Sequence, residues 1–405
     1  MRAYERLIQY VQVHTSSKEG EACTPSTERQ FNLSRVLEAE LNRSGYQQVF
    51  VDEHAYVYGV LPATEGKENS PCIALIAHLD TIPDEDFSGE GVRPQIVEKY
   101  DGSEIPLGDS GRVLSPEAFP DLTKLVGHTL IITDGTTVLG ADDKAGIAEI
   151  LTACEELQLE KLPHGRIAVC FPPDEEIGHG ASLLDLGRLG ADFAFTVDGG
   201  ALDEVNFETF NAAAATVIAH GVNVHPGDAK NKMINAIHVA EEFDALLPAA
   251  ERPERTEGYE GFFHLTELKG DVEKTLMHYI VRDHNAEHFE IRKDMLRQAE
   301  KHLNEKYGSN TIELSIRDQY RNMEEVLRNH KNVVEMADSA IRKVGLEPKH
   351  VPIRGGTDGS QLSYRGLPCP NLGTGGACFH GPYEHISIEN MDTAVEILKN
   401  LITSV

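Results

Sequence analysis

Short apolar runs alternate with segments of helical periodicity through the first half of the chain. Residues 73–77 form a run of five apolar positions, which is typical of a buried strand. The segment "DKAGIAEILTACEELQ" repeats apolar residues at helical spacing. The runs in "RIAVCFPPDEE" and "ADFAFTVDGG" also read as strands, and both are followed by acids. This order of strand, acid and helix predicts a doubly wound α/β domain with a mostly parallel sheet.

The pattern changes near residue 209. The stretch "FNAAAATVIAHGVNVHPGDA" predicts a hairpin, and "GFFHLTELKGDVEKTLMHYIVRDH" predicts two strands around a Gly-Asp turn. Helical periodicity in "MINAIHVAEEFDALL" and "EIRKDMLRQAEKHLNEKY" adds two helices. We therefore predict a small α+β sandwich over 209–321, inserted in a larger domain that comprises 1–208 and 322–405.

Acids and histidines collect at the ends of the predicted strands of the larger domain. Side chains alternate along a strand, so His78 and Asp80 lie on the same side. Each residue alone could be an ordinary polar loop residue, but together they indicate one site at the strand ends. The set comprises seven residues: His78, Asp80, Asp142, Glu175, Glu176, Asp198 and His380.

Imidazole and carboxylate groups without thiolates favour an open hydrolytic site for two divalent cations over a structural zinc site. The pattern leaves two choices open. Asp174 competes with the neighbouring acid Glu175 for the role of general base, and His385 competes with His380 as a ligand.

The bulk composition excludes some classes of partner. The formal net charge is -29, which opposes binding to nucleic acids and to anionic membranes. The 6 cysteines form no CxxC pair, which argues against a disulfide framework and fits a reducing compartment. The N-terminal segment lacks the apolar core of a signal peptide, and no run approaches the ~20 apolar residues of a membrane span. We expect a cytoplasmic protein.

The motifs "AHLDT", "GADDKAG", "PDEEIG", "VDGG" and "HGPYEH", in this order and spacing, resemble those of the M20 family of di-zinc metallopeptidases. The stretches "DFSGEGVRPQI", "HGVNVHPGDAKNKMINA" and "IRGGTDGS" are similar to the tripeptide aminopeptidases of that family. The resemblance covers almost the whole chain. It implies a zinc-exopeptidase catalytic domain whose inserted domain serves as a lid and in dimerisation.

The resemblance also implies a role for each residue of the site. Two Zn²⁺ ions would bind each subunit, one held by His78 and Asp198 and the other by Glu176 and His380, with Asp142 bridging both. A hydroxide bridging the zinc ions would attack the peptide bond. Two further residues would act without binding metal: Asp80 would orient His78, and Glu175 would be the general base. The family also has a cis peptide bond at the position of Asp142–Asp143.

The substrate expected from the resemblance is a small peptide. His225 in the inserted domain would bind the oxyanion, either within its own chain or across a homodimer formed through that domain. Arg282 and Arg354 would bind the peptide carboxylate, and Asn211 and Asn235 are weaker candidates for substrate contacts. A carboxylate clamp at a set distance from the zinc ions would select tripeptides by length.

Three other functions are compatible with parts of the pattern. Another M20-type amidohydrolase, such as a dipeptidase, a carboxypeptidase or an acylamino-acid deacylase, would use the same zinc site. A non-catalytic protein on a hydrolase fold would have lost a ligand or the base, and this chain has all of them. A metal-dependent phosphoesterase fits two-metal chemistry, but the chain has no P-loop.

Overall fold

The computed structural model describes all 405 residues of the chain, which fall into two compact units. Unit 1 comprises Met1–Phe207, Glu325–Val351 and Thr357–Val405, and unit 2 comprises Glu208–Glu324 and Pro352–Gly356.

The short segment 352–356 is the main difference from the predicted boundaries, which assign it to the larger domain. Ile353 donates its N–H to the carbonyl of Glu208, and Phe210 donates its N–H to the carbonyl of Gly355. This pairing joins the segment to the first residues of unit 2.

The chain contains eighteen strands and ten α-helices. The strands are β1 (Gln47–Val51), β2 (Val57–Leu61), β3 (Ile73–Ile76), β4 (Gln95–Val97), β5 (Ile105–Leu107), β6 (Arg112–Leu114), β7 (Leu130–Ile132), β8 (Ile167–Phe171), β9 (Phe193–Gly199), β10 (Glu204–Asn206), β11 (Asn211–His220), β12 (Phe262–Gly270), β13 (Lys274–Asp283), β14 (Ile312–Tyr320), β15 (Lys349–His350), β16 (Asn371–Gly373), β17 (Gly376–Ala377) and β18 (His385–Ser387). The helices are α1 (Ala3–Tyr10), α2 (Gln30–Arg43), α3 (Ala141–Glu160), α4 (Leu186–Leu189), α5 (Ala236–Ala245), α6 (Ala286–Tyr307), α7 (Glu324–Leu327), α8 (Lys331–Lys343), α9 (Asp358–Tyr364) and α10 (Ile388–Ile402).

Unit 1 is built on an eight-stranded mixed sheet with the order β1-β2-β8-β3-β9-β16-β10-β15. Its centre, β8-β3-β9-β16, is parallel, whereas β1-β2-β8 and β16-β10 pair antiparallel. Ile73 and Leu75 of β3 pack in one apolar cluster with residues of α3 and α10, and Ala74 and Ile76 pack in a second cluster with residues of α4 and α9. Strands β3 and β8 are apolar throughout because both faces of the sheet are covered. The predicted α/β class is confirmed.

Unit 2 contains a four-stranded antiparallel sheet with the order β12-β13-β11-β14. Alternate residues of β11, including Ala213, Ala215 and Val217, pack in a core with residues of α5 and α6. The hairpin predicted over 210–229 is wrong. Residues Asn211–His220 form one strand between β13 and β14, and Pro226–Asp228 then form a 3₁₀ turn. The partners of β11 are distant in the chain, so local turn signals did not identify them.

No helix is long and apolar enough to cross a membrane.

Candidate metal centre

Neighbouring strands of unit 1 bring most of the predicted site residues to one edge of the sheet. His78 follows β3, Glu175 and Glu176 follow β8, and Asp198 is the penultimate residue of β9. Because these three strands are parallel neighbours, their carboxyl ends meet at the same edge. Two other segments complete the site: Asp142 lies at the start of α3, and His380 lies in the loop between β17 and β18.

The carboxylate of Asp142 lies between two histidines. Its Oδ1 is 2.9 Å from Nε2 of His78, and its Oδ2 is 3.1 Å from Nε2 of His380. Each histidine has a further acid beside it. Nε2 of His78 is 3.6 Å from Oδ1 of Asp198, and Nε2 of His380 is 3.1 Å from Oε2 of Glu176. The arrangement places two imidazole–carboxylate pairs on either side of one shared carboxylate.

Two sets of three side chains have potential ligand atoms within 4.8 Å of one another: His78, Glu175 and Asp198, and His78, Asp142 and Glu176. Glu175 therefore lies close enough to act either as a ligand or as the predicted base. The peptide bond between Asp142 and Asp143 is cis, as the resemblance implied.

The tautomer of His78 follows from its contacts. Nδ1 lies 3.1 Å from the backbone carbonyl of Asp80, which can only accept a hydrogen bond, so Nδ1 carries the proton. In the neutral ring, Nε2 is then a lone pair that faces carboxylate oxygens of Asp142 and Asp198. Acceptors that face one another in this way need a proton or a cation between them. This donor set fits a metal ion.

Asp80 holds more of the site than the sequence indicated. Its Oδ1 lies 3.4 Å from Nδ1 of His78, consistent with the predicted orienting role. In addition, its carboxylate accepts the backbone N–H groups of Glu175 at 3.0 Å and Glu176 at 3.3 Å. Asp80 itself is fully buried. One carboxylate thus connects the imidazole to the turn that carries both acids.

The structure separates the two rivals from the cluster. Asp174 has a left-handed backbone (φ 57°), and its buried carboxylate accepts hydrogen bonds from the backbone and hydroxyl of Ser26 and from the amide of Gln30. His385 is buried in β18 and donates from Nδ1 to the carbonyl of Tyr383. Neither side chain belongs to the sets of potential ligands, and His385, unlike His380, forms no ion pair with Asp142 or Glu176.

The electrostatics of the cluster indicate a shortage of positive charge. Burial and the charge of Asp142 raise the pKa of Glu176 to about 8. Burial, together with the charges of Asp198 and Asp358, raises the pKa of Glu175 well above its ordinary value. Hydrogen bonds to Asp142 and Glu176 raise the pKa of His380 to about 11. Glu175 and Glu176 are crowded enough to retain protons. Burial opposes ionisation of Asp142 as well, but hydrogen bonds from His380 and His78 hold the pKa of Asp142 well below its ordinary value. A divalent cation would relieve the repulsion among these acids.

The predicted substrate residues lie in unit 2. His225 is exposed, and its Nδ1 accepts the N–H of Gly227 at 3.1 Å. Arg282 donates from Nη1 to the carbonyls of Ala213 and Val281, and its guanidinium lies 5.3 Å from the ring centre of Tyr320.

The three other candidates for substrate contacts make hydrogen bonds within unit 2. Arg354 donates to the carbonyls of Gly258 and Glu260 and to the hydroxyl of Thr256. The amide of Asn211 donates to the carbonyls of Asp283 and His284, and Asn235 caps α5 by accepting the N–H of Ile237. These contacts occupy polar atoms that the sequence reasoning assigned to the substrate.

A cavity of about 810 Å³ in unit 2 lies among charged side chains that include Glu208, Arg255 and Glu324. Its lining includes neither His225 nor Arg282 nor Arg354. Arg354 nevertheless donates to Thr256 and Glu260, which line the cavity, so the cavity adjoins one arginine of the predicted clamp.

Comparison with known proteins identifies the family of the chain. Residues 134–404 match the model of peptidase family M20/M25/M40. The chain is 51% identical over 400 residues to peptidase T of Geobacillus kaustophilus (strain HTA426), covering 98% of this chain and 97% of that one. Its fold is similar to that of aminopeptidase PepT from Bacillus cereus ATCC 10987, with a TM-score of 0.79, 24% identity and coverage of 99% and 97%. A tripeptidase from Staphylococcus aureus subsp. aureus mu50 gives a TM-score of 0.79 at 20% identity, with coverage of 100% and 97%. The chain belongs to the M20/M25/M40 family of peptidases.

Proposed function

We propose that this chain is a metal-dependent aminopeptidase that releases the N-terminal residue from tripeptides. The observation that carries the proposal is the carboxylate of Asp142, with His78 at one oxygen and His380 at the other. The near-full-length relative named peptidase T supports the choice of tripeptides over the substrates of other M20-type amidohydrolases.

The proposed cofactor is a pair of Zn²⁺ ions, one held by His78 and Asp198, the other by Glu176 and His380, with Asp142 shared. The nitrogen and oxygen donors, and the Nε2 lone pair of His78 that faces carboxylates, support this assignment. When bound, the ions supply Lewis acidity that polarises the scissile carbonyl.

Glu175 moves the proton in the proposed reaction. One of its carboxylate oxygens takes a proton from the attacking water as the new C–O bond forms. The same oxygen then delivers the proton to the amide nitrogen as the C–N bond breaks, which releases a neutral amine. A raised pKa suits this second step, because a carboxyl group with the ordinary pKa is a poor match for an amine leaving group.

Asp80 supports this proton transfer without contacting the substrate. By accepting the N–H groups of Glu175 and Glu176, it fixes the backbone from which both carboxylates project. The base and a proposed ligand therefore keep a constant separation during the reaction.

His225 and Arg282 are the proposed substrate contacts from unit 2. Because Nδ1 of His225 accepts an N–H, the proton of the neutral ring is on Nε2, which can donate to an oxyanion. Arg282 uses Nη1 for backbone carbonyls and also hydrogen-bonds to the side chain of Tyr320, so a peptide carboxylate would bind the N–H groups that remain. Arg354 is likewise engaged inside unit 2, by three hydrogen bonds, and together with Arg282 it makes up the proposed clamp.

Two further proposals concern the setting of the enzyme. A homodimer through unit 2 is supported by β12, an edge strand that pairs only with β13 and carries the exposed Leu268. A cytoplasmic location is supported by six cysteines that are all free thiols.

Hydrolysis of four matched peptides tests the function. The substrates are one tripeptide, its N-acetylated form, and the corresponding dipeptide and tetrapeptide, each assayed after chelation and after addition of zinc. We expect zinc-restored release of the N-terminal residue from the free tripeptide alone. Cleavage of the acetylated form or of the dipeptide would contradict the proposal in favour of a sibling activity, and no cleavage with zinc bound would contradict a catalytic role.

A further inference from the structure

Glu384 is a buried carboxylate that binds the backbone of the segment carrying Asp142. Its side chain lies just before β18 and is 2% exposed. Oε2 accepts the N–H groups of Leu139 at 2.7 Å and Gly140 at 2.9 Å, and Oε1 accepts the N–H of Asp142 at 3.0 Å. Both oxygens are therefore used, and all three donors lie within four consecutive residues.

The segment 139–143 has little regular structure of its own. Gly140 has a left-handed backbone (φ 76°), and neither Asp142 nor Asp143 has helical φ and ψ angles although they lie within the first turn of α3. N–H groups at the start of a helix have no partner within the helix. The carboxylate of Glu384 takes the place of those partners, so the path of this segment depends on a residue 242 positions later in the chain.

A buried cation accompanies this carboxylate. Lys144 is 1% exposed, donates from Nζ to the carbonyl of Val13 at 2.9 Å, and interacts electrostatically with both Glu384 and Asp80. Asp80 holds the turn of Glu175 and Glu176 by the same kind of bond. The buried carboxylates of Glu384 and Asp80 both lie near Lys144. Each of them accepts backbone N–H groups from a segment that carries proposed metal ligands.

We propose that Glu384 is a positioning residue for the metal pair. By gathering three N–H groups, it fixes the backbone of Asp142 so that one carboxylate oxygen faces His78 and the other faces His380. Both oxygens of Glu384 are used by backbone N–H groups, so the residue acts through Asp142 and not as a ligand. This inference rests on the proposed metal pair but does not depend on the peptide substrate.

The test is zinc affinity in the Glu384→Gln variant. The amide keeps the shape of the side chain, but its NH₂ group must face at least one backbone N–H, so the segment cannot keep all three bonds. Since Asp142 is shared, we expect both zinc ions to bind 10- to 100-fold more weakly than in the wild-type chain. Affinity is measured by competition between the metal-free chain and a chromophoric chelator, with Zn²⁺ as the probe. Excess zinc should restore kcat, with KM within about twofold of the wild-type value.

Glu389→Gln is the matched control. Glu389 lies five residues along the chain, and its carboxylate also accepts a backbone N–H, that of Thr129 at 2.8 Å. Thr129 precedes β7 and carries no proposed ligand, so this variant should bind both ions within about twofold of wild type. His380→Ala provides a further comparison, because loss of a ligand to one ion should weaken that ion selectively.

The outcomes separate this inference from the proposed function. If the wild-type chain binds fewer than two zinc ions, the proposed metal pair fails. If wild type binds two and folded Glu384→Gln binds them with equal affinity, the positioning role is wrong while the metal pair stands.

Amide hydrogen exchange in the metal-free wild-type chain covers the case in which the variant does not fold. The amides of Leu139, Gly140 and Asp142 should be protected before any zinc is added. Rapid exchange at these three amides would overturn the proposal.

Discussion

Replacement of Asp80 by asparagine separates its two contributions to the metal centre. In the wild-type chain, Oδ1 accepts the N–H of Glu175 and Oδ2 accepts the N–H of Glu176, so the two bonds require two acceptor atoms. An asparagine has one acceptor, and its NH₂ group must then face one of these N–H donors. A hydrogen bond to a charged group contributes about 1.5–3 kcal/mol, and this loss falls on the turn that carries the base.

The expected result is a fall in kcat/KM on a tripeptide of about 10- to 150-fold, which is 1.5–3 kcal/mol expressed as a rate ratio. Steady-state kinetics at saturating zinc measure this fall, and thermal unfolding shows whether the variant remains folded. Weaker orientation of His78 should also lower zinc affinity, by an amount that chelator competition measures separately.

Asp52→Asn is the matched control for this prediction. Asp52 also accepts two backbone N–H groups, from His54 at 2.9 Å and Tyr56 at 3.0 Å, but through a single oxygen. The amide oxygen of asparagine can keep both bonds, so kcat/KM should stay within about twofold of wild type. Equal losses in the two variants, or wild-type activity in Asp80→Asn, would refute the argument that the two separate acceptors matter.

Three further predictions concern residues of unit 1. Glu175→Gln should lower kcat by about 10²–10⁴-fold while two zinc ions remain bound, as measured by metal analysis, and loss of an ion would show that Glu175 is a ligand and not only the base. Arg6→Met should lower the free energy of unfolding by about 3–5 kcal/mol in chemical denaturation. The substitution removes the buried guanidinium whose Nε lies 2.7 Å from Oε1 of Glu40, and that carboxylate then lacks its cation. A change below about 1 kcal/mol would contradict this prediction. Glu149→Gln should stabilise the chain at about pH 8 and much less at about pH 5. Burial without a protein hydrogen bond raises the pKa of Glu149, so the stability that its protonated form provides at low pH is lost as the pH rises through the folded pKa. An equal effect on the free energy of unfolding at both pH values would contradict this prediction.

Two local rules account for the strand-end residues of the candidate metal centre, whereas Asp142 and His380 were indicated by the family resemblance. Alternation along a strand puts His78 and Asp80 on one side, and parallel neighbours bring the ends of β3, β8 and β9 to one edge. These rules do not show which of the consecutive acids Asp174, Glu175 and Glu176 face the site. The backbone of Asp174 and its bonds to Ser26 and Gln30 turn that carboxylate away, and no spacing rule contains this information.

Long-range pairing explains what the sequence did not reveal. The three bonds of Glu384 and the partners of β11 join segments far apart in the chain, so neither left a periodic signal. The same holds for 352–356, whose assignment to unit 2 depends on pairing with residues near 208. Arg354 was expected from the sequence to bind a substrate carboxylate, but in the structure it donates to backbone carbonyls of its own unit.

The shared position of Asp142 between two histidines also has a consequence for the order in which the chain is synthesised. His78, Asp142, Glu175, Glu176 and Asp198 are all made before the ribosome reaches His380 and Glu384. Until then, a nascent chain has a single imidazole among crowded acids and lacks the carboxylate that holds the backbone of Asp142. Under the proposed assignment, capture of the metal pair therefore follows the synthesis of His380 and Glu384. A chain released before residue 380 would be recognisable in a cell extract by its inability to retain two zinc ions.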